Sequence, residues 1–210
     1  MSEQKYASVE EYIADLKAKL DKNPECGNTH YNLGMAYLSQ RDFVEAERSF
    51  LDALRNSPKM AEAYVQLGGL CMRRGDLEGC LNYNIQASKE RPFFAVPWGN
   101  IGFAKLQKGE VDEAVKALNK AIKLDPNFVQ ALATLGSARF TMGDIPGALE
   151  LLAKAVKLQP KFGPAWNNLA LCHAELGDWA KARDCARKAA ESGYEVPPEF
   201  LREIEQNLAG

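Results

Sequence analysis

The chain has 210 residues and a formal net charge of −2, enough length for one large domain or two small ones around a sizeable core. A near-neutral balance offers little to a phosphate backbone and argues against nucleic acid as a partner. No apolar run approaches the ~18 residues a membrane span needs. The five cysteines, none in a C-x-x-C pair, in a chain that is 46% hydrophobic fit small buried thiols in a reducing compartment better than a disulfide framework.

The first predicted element is a helix over 8–22. Ser8 and Glu11 have the S-x-x-E spacing of a capping box, and Val9, Tyr12, Ile13, Leu16 and Leu20 share one apolar face. This N-terminus lacks a basic segment leading into an apolar run, so no secretory signal is expected and a soluble, cytoplasmic protein is.

From Gly27 onward the chain has a period. Gly75, Gly109, Gly143 and Gly177 are 34 residues apart, each followed by Asp or Glu. Gly34, Gly68, Gly102, Gly136 and Ala170 form a second column; Ala53, Ala87, Ala121, Ala155 and Ala189 a third; Pro58, Pro92, Pro126 and Pro160 a fourth. Five units follow without insertion or deletion: 27–60, 61–94, 95–128, 129–162 and 163–196. Each reads as two helices, the first ended by the glycine turn and the second by the proline. The small columns are expected to bring Gly or Ala of the first helix against Ala of the second. Leu33, Leu67, Ile101, Leu135 and Leu169 then fill the space between units, which must stack because none can bury its own face. A last helix over 197–208 has Pro198 in its first turn and Phe200, Leu201, Ile204 and Leu208 on one side.

A 34-residue helix–turn–helix with "HYNLGMAY", "AERSF", alanine and proline in its first unit, "WGNIGFAK" in its third and "WNNLALCH" in its fifth resembles the tetratricopeptide repeat. The resemblance covers 27–196. It implies one all-α, right-handed α-solenoid superhelix of five repeats with a capping helix at each end, forming a single domain over 1–210. It also implies a protein-interaction scaffold with a concave groove lined by first helices, at unit positions 2, 5, 9, 12, 13, 33 and 34.

Removing the packing columns from those positions leaves a groove set. It includes Tyr31 and Met35 in the first unit, and Val65, Gly69, Met72 and Arg73 in the second. Phe93 is the last residue but one of the second unit, and Val96, Gly99 and Phe103 follow in the third. Ser137 and Phe140 belong to the fourth. The same positions also hold Asn28, Leu38, Ser39, Glu62, Leu106, Gln107, Gln130, Ala133, Thr141, Pro164, Asn167, Leu171, Ala174 and Glu175. Small Gly69, Gly99, Ala133 and Ser137 beside Phe103 and Phe140 read as a pocket floor between aromatics. Position 6 carries Asn32, Gln66, Asn100, Thr134 and Asn168, whose amides suit both donor and acceptor of an extended peptide backbone. The segment Lys89–Phe103 reads as a joint between units; Phe93, Val96, Pro97, Gly99 and Phe103 are the residues there that the lattice leaves unexplained. The carboxylate clamp of chaperone-binding relatives does not carry over, since Tyr31, Met35, Gln66, Val96 and Asn100 stand where it needs Lys, Asn, Asn, Lys and Arg.

The expected function is therefore a scaffold that binds an apolar or aromatic segment of a partner protein. Self-assembly into a structural array, or holding an apolar client as a chaperone, are the alternatives, and a homo-oligomer is less favoured. No hydrolase, metalloprotease or nucleotide-binding signature occurs, so neither enzyme activity nor a metal or other cofactor is expected. His30 and His173 read as packing histidines. The second unit departs most from the pattern, with Cys71, Cys80 and Asn84 where neighbours carry Tyr, Ala and a large apolar residue. A buried Asn84 requires hydrogen-bond partners.

Overall fold

A computed structural model describes residues 6–209. Its local logic begins at the turns. Gly75, Gly109, Gly143 and Gly177 have φ of 72–78°, the left-handed conformation that ends a helix and costs a glycine least. The next residue turns its amide back to the helix just ended, as Asp76 does to the Cys71 carbonyl at 2.9 Å and Asp144 to that of Arg139 at 2.9 Å. The aspartate then caps the following helix. Asp42, Asp76, Asp144 and Asp178 each accept from the backbone N–H three residues on, satisfying a donor that helix geometry leaves free. Glu110 makes no such cap; its carboxylate is held by Lys105 and Lys108 instead, which keeps it below the usual carboxylate range. One glycine-dipeptide decision thus stops one helix and starts the next.

Twelve helices result, and no strand occurs among the described residues: α1 (Val9–Lys22), α2 (Gly27–Ser39), α3 (Phe43–Asn56), α4 (Ala61–Arg73), α5 (Leu77–Glu90), α6 (Ala95–Gln107), α7 (Val111–Leu124), α8 (Val129–Thr141), α9 (Ile145–Leu158), α10 (Gly163–Glu175), α11 (Trp179–Glu191) and α12 (Pro198–Ala209). Helices α2 to α11 are the ten of the five repeats. The expected opening cap is present, with the Glu11 N–H donating to Ser8 Oγ at 3.2 Å. Glu11 itself reaches the N–H of Ala7 at 2.7 Å rather than that of Ser8. None of these helices is long and apolar enough to cross a membrane.

The chain divides into two compact units, one ending at Asn100 and the other beginning at Ile101, so the division falls within α6. In the first, Ile13 and Leu16 of α1 join Leu33, Tyr37, Phe50, Leu67 and Leu70 in one core. In the second, Leu132, Leu152, Leu169 and Cys172 share a core with Phe200 and Ile204 of α12. The terminal helices therefore contribute apolar faces to the cores, as their sequence patterns require.

The glycine column packs differently from the expectation. A Cβ added to Gly34 would lie 2.6 Å from the Phe50 ring. At Gly102 and Gly136 it would lie 2.4 Å and 2.7 Å from Cγ of Leu118 and Leu152. Behind these lie only the backbone carbonyls of Ala114 and Ala148, at 3.2 Å and 3.4 Å, which belong to none of the columns named above. The glycines make room for a large side chain of the second helix, so the tight pair is small-against-large rather than small-against-small.

Candidate functional site

Asn84 stands in that large column and is fully buried. Its Nδ2 donates to the Cys80 carbonyl at 2.8 Å, and its Oδ1 accepts from Asn100 Nδ2 at 3.0 Å. Both ends of the buried amide are satisfied, as such burial demands. The arrangement commits the donor of Asn100 to the scaffold. Of the position-6 residues, Gln66 and Asn168 make no hydrogen bond to any described residue, whereas the Thr134 hydroxyl donates to the Gln130 carbonyl at 2.7 Å.

In the first unit, Met35 is partly exposed at 39%. Tyr31 stacks obliquely on Phe50 with centroids 5.6 Å apart. The Arg73 guanidinium lies 3.5 Å from the centre of the Phe43 ring, a cation–π contact. Val65, Gln66 and Met72 are half-buried. Gly69 is exposed, with nothing within 4 Å of an added Cβ, so a small residue there leaves open surface. Val96 is half-buried, while Gly99 and Pro97 are buried. Gly99 therefore supplies no open floor, because the packing has closed over it. Phe93 projects from the joint between α5 and α6 and is 86% exposed. Beside it Arg91 pairs with Glu62 and lies over the Phe94 ring at 5.1 Å.

In the second unit a pocket of about 220 Å³ is framed by consecutive first helices. Phe103, Leu106 and Gln107 come from α6. Gln130, Ala133, Thr134 and Ser137 come from α8. Phe162, Pro164 and Asn168 come from the start of α10. No charged side chain lines it. The apolar part is Phe103, Leu106, Ala133, Phe162 and Pro164. Around it stand the amides of Gln107, Gln130 and Asn168, none of which bonds to a described residue. Of the expected site residues, Phe103, Ser137 and Asn168 converge here. Phe140 does not; it lines a separate pocket of about 230 Å³ with Leu171, Ala174, Glu175, Trp179, Phe200 and Glu203. Phe162, which supplies an aromatic wall, closes its repeat at position 34, where Phe94 and Phe128 also stand.

The histidines and cysteines differ in their settings. Histidine 30 donates from Nε2 to the Pro24 carbonyl at 2.8 Å. Trp166, four repeats later in the same column, does the same to Pro160 at 2.8 Å. His173 Nδ1 is buried without a partner, and burial pushes its pKa below the ordinary imidazole value. All five cysteines are free thiols. Burial pushes Cys80 and Cys172 up to about 11, where the nucleophilic thiolate is scarce near neutrality. No group of three or more His, Cys, Asp or Glu that could hold a metal occurs among the described residues.

A tetratricopeptide-repeat family model matches residues 13–61, 31–79 and 133–195, and a second model, described as a TPR repeat, matches 102–143. No curated protein matches. Among solved structures, MamA is 24% identical with a TM-score of 0.62, over 77% of this chain and 94% of that one. YrrB, described as a TPR protein with an unusual peptide-binding site, is 16% identical with a TM-score of 0.68, over 92% and 99%. PilF of Pseudomonas aeruginosa is 18% identical with a TM-score of 0.71, over 89% and 88%. Identities this low carry the fold alone.

Proposed function

This chain belongs to the tetratricopeptide-repeat family, and from that premise we propose that it is a protein-interaction scaffold whose second unit holds an apolar or aromatic segment of a partner protein. The observation that carries the proposal is the uncharged pocket between α6, α8 and α10. Its apolar floor takes one large side chain, and burial supplies most of the free energy. Around the rim, Gln107, Gln130 and Asn168 keep donors and acceptors unspent, so they can pair with the backbone of an extended segment and fix its register. A charged side chain entering the pocket would lose its hydration without a counter-charge, which sets the selectivity. A peptide-binding site described for the similarly folded YrrB is consistent with this reading. Five unpaired thiols suit a reducing, cytoplasmic setting, and nothing in the site calls for a cofactor or a catalytic role.

The test is selection from a random displayed peptide library, followed by affinity measurement on Phe103→Ala. Enriched peptides should share a large apolar or aromatic residue with few charges nearby. Phe103→Ala should weaken them about tenfold or more, from ~1–3 kcal/mol of lost burial, at an unchanged Tm. Selected peptides that bind this variant as tightly as the native protein refute the assignment. Phe93→Ser, in the first unit, reports separately on whether that exposed ring takes part.

A further inference from the structure

The second pocket of the second unit has a different chemistry. Three aromatic side chains, Phe140, Trp179 and Phe200, line it together with two carboxylates, Glu175 and Glu203. Neither carboxylate has an ion-pair partner among the described residues, and no lysine or arginine lines the space. Of the bases nearby in sequence, Arg139 pairs with Asp144 at 3.2 Å and Lys181 with Asp178 at 2.6 Å, while Arg202, next to Glu203, is exposed and does not line the pocket. Glu175 is also the last residue of α10, so the negative end of that helix dipole lies at the same place.

We propose that this pocket receives one cationic side chain, lysine or arginine, from a partner protein. Aromatic faces attract a cation through the ring quadrupole. The two free carboxylates and the helix terminus add a negative potential that nothing in the pocket neutralises. A cavity of about 230 Å³ accommodates the head and part of the stem of a long side chain, which snorkels with its methylenes along the rings. An anion would meet two like charges, and a purely apolar group would leave both carboxylates partly desolvated and unpaired. The inference stands apart from the proposed apolar pocket, since the two share no lining residue.

The test uses the full chain labelled with 15N and three small probes: the N-acetyl N-methylamides of lysine, arginine and norleucine. Norleucine keeps the aliphatic stem without the charge. Saturable shifts of the Trp179 indole N–H and the Ala174 amide with lysine or arginine, and not with norleucine, are expected. Added salt should weaken them, because the attraction is screened. The variant Glu175→Gln with Glu203→Gln should bind these probes about tenfold more weakly, since it removes two exposed ion pairs at once. Its Tm should be unchanged, since neither carboxylate holds a described residue. Equal shifts with norleucine, or undiminished affinity in the double variant, overturn the proposal, as does the absence of any shift at Trp179 with tens of millimolar cation. If the double variant fails to fold, the norleucine comparison and the salt dependence on the native protein still decide. Absence of cation binding by the native chain, with the Phe103-dependent peptides still bound, would refute this pocket alone.

Discussion

Replacing Gly136 by alanine tests the packing rule that the helix pairs obey. The added Cβ would sit 2.7 Å from Cγ and 2.9 Å from Cδ2 of Leu152, where carbon atoms prefer ~3.5–4.0 Å. One of the two helices must move by about 1 Å, and Leu152, fully buried, has no free space to retreat into. Overpacking of this kind costs about 1–3 kcal/mol, against about 1 kcal/mol gained from alanine's better helix propensity. A net loss of about 1–2 kcal/mol is expected. Leu152→Ala alone should cost about 2–5 kcal/mol through the cavity it leaves. Combined, the two should not add, because the alanine methyl fills space the leucine vacates. The fifth repeat already contains this solution, with Ala170 and Ala186 at the equivalent positions, both buried. Urea unfolding followed by circular dichroism, with m-values compared across the set, should return a favourable coupling of about 1–3 kcal/mol. Additivity within about 0.5 kcal/mol, or a Gly136→Ala variant more stable than the native protein, would refute the small-against-large account.

Three further outcomes follow from single residues. Arg41 has φ 61°, where the equivalent residues of the next four repeats are glycines. Arg41→Gly should relieve about 1 kcal/mol of left-handed strain, partly offset by glycine's chain entropy, and raise Tm by about 1–3 °C; a lower Tm would contradict this. Cys26 is only partly buried, and hydrogen bonds from the Thr29 hydroxyl and backbone lower its thiol pKa. A maleimide should therefore label it first in the native protein, and peptide mapping that finds Cys80 or Cys172 labelled equally fast would count against the packing described. For His173, burial depresses the folded pKa below the ordinary 6.5, opposed by Asp178 and assisted by Lys181. The unfolded chain then binds the extra proton first, so stability is complete above about 6.5 and falls as pH drops from there through the folded value. Between pH 8 and 5 the urea midpoint should fall further in the native protein than in His173→Tyr, tyrosine being the residue at the equivalent Tyr37. Parallel profiles would exclude His173 as a cause.

Much of the fold was readable because its decisions are local. A glycine-acid pair dictates a helix end and the next cap within two residues, and a proline forbids continuation, so twelve helix boundaries follow from residues adjacent to them. The partner of the glycine column was not readable in this way. Periodicity identifies columns that are small, but which column faces which depends on the rotation of two helices about their own axes. The compensating sequence Phe50, Asn84, Leu118, Leu152 and Ala186 shows the answer only once the pairing is known. The requirement for partners at Asn84 was legible from burial alone; that Asn100 would supply one was not, since it comes from the next repeat.

The site divides along the same line. Phe103, Ser137 and Asn168 meet in one pocket because they occupy inward positions of three consecutive first helices. Phe140 lies one helical turn beyond Ser137's position, near where α10 ends, and that shift of one turn carries it from a neutral lining to one with two carboxylates. Sequence position ranks both phenylalanines alike, since aromatic identity and helix register are the same kind of signal in each. What separates them is the amides and acids that the fold gathers around each ring. The same reasoning distinguishes the position-6 amides. Asn100 has a donor already spent on Asn84, a consequence of the second repeat having Asn where its neighbours have Phe or Leu. Asn168 has no such demand and keeps both ends of its amide. A column that looks uniform in the sequence is thus partly structural and partly available, and the difference is set by one polar substitution in the core.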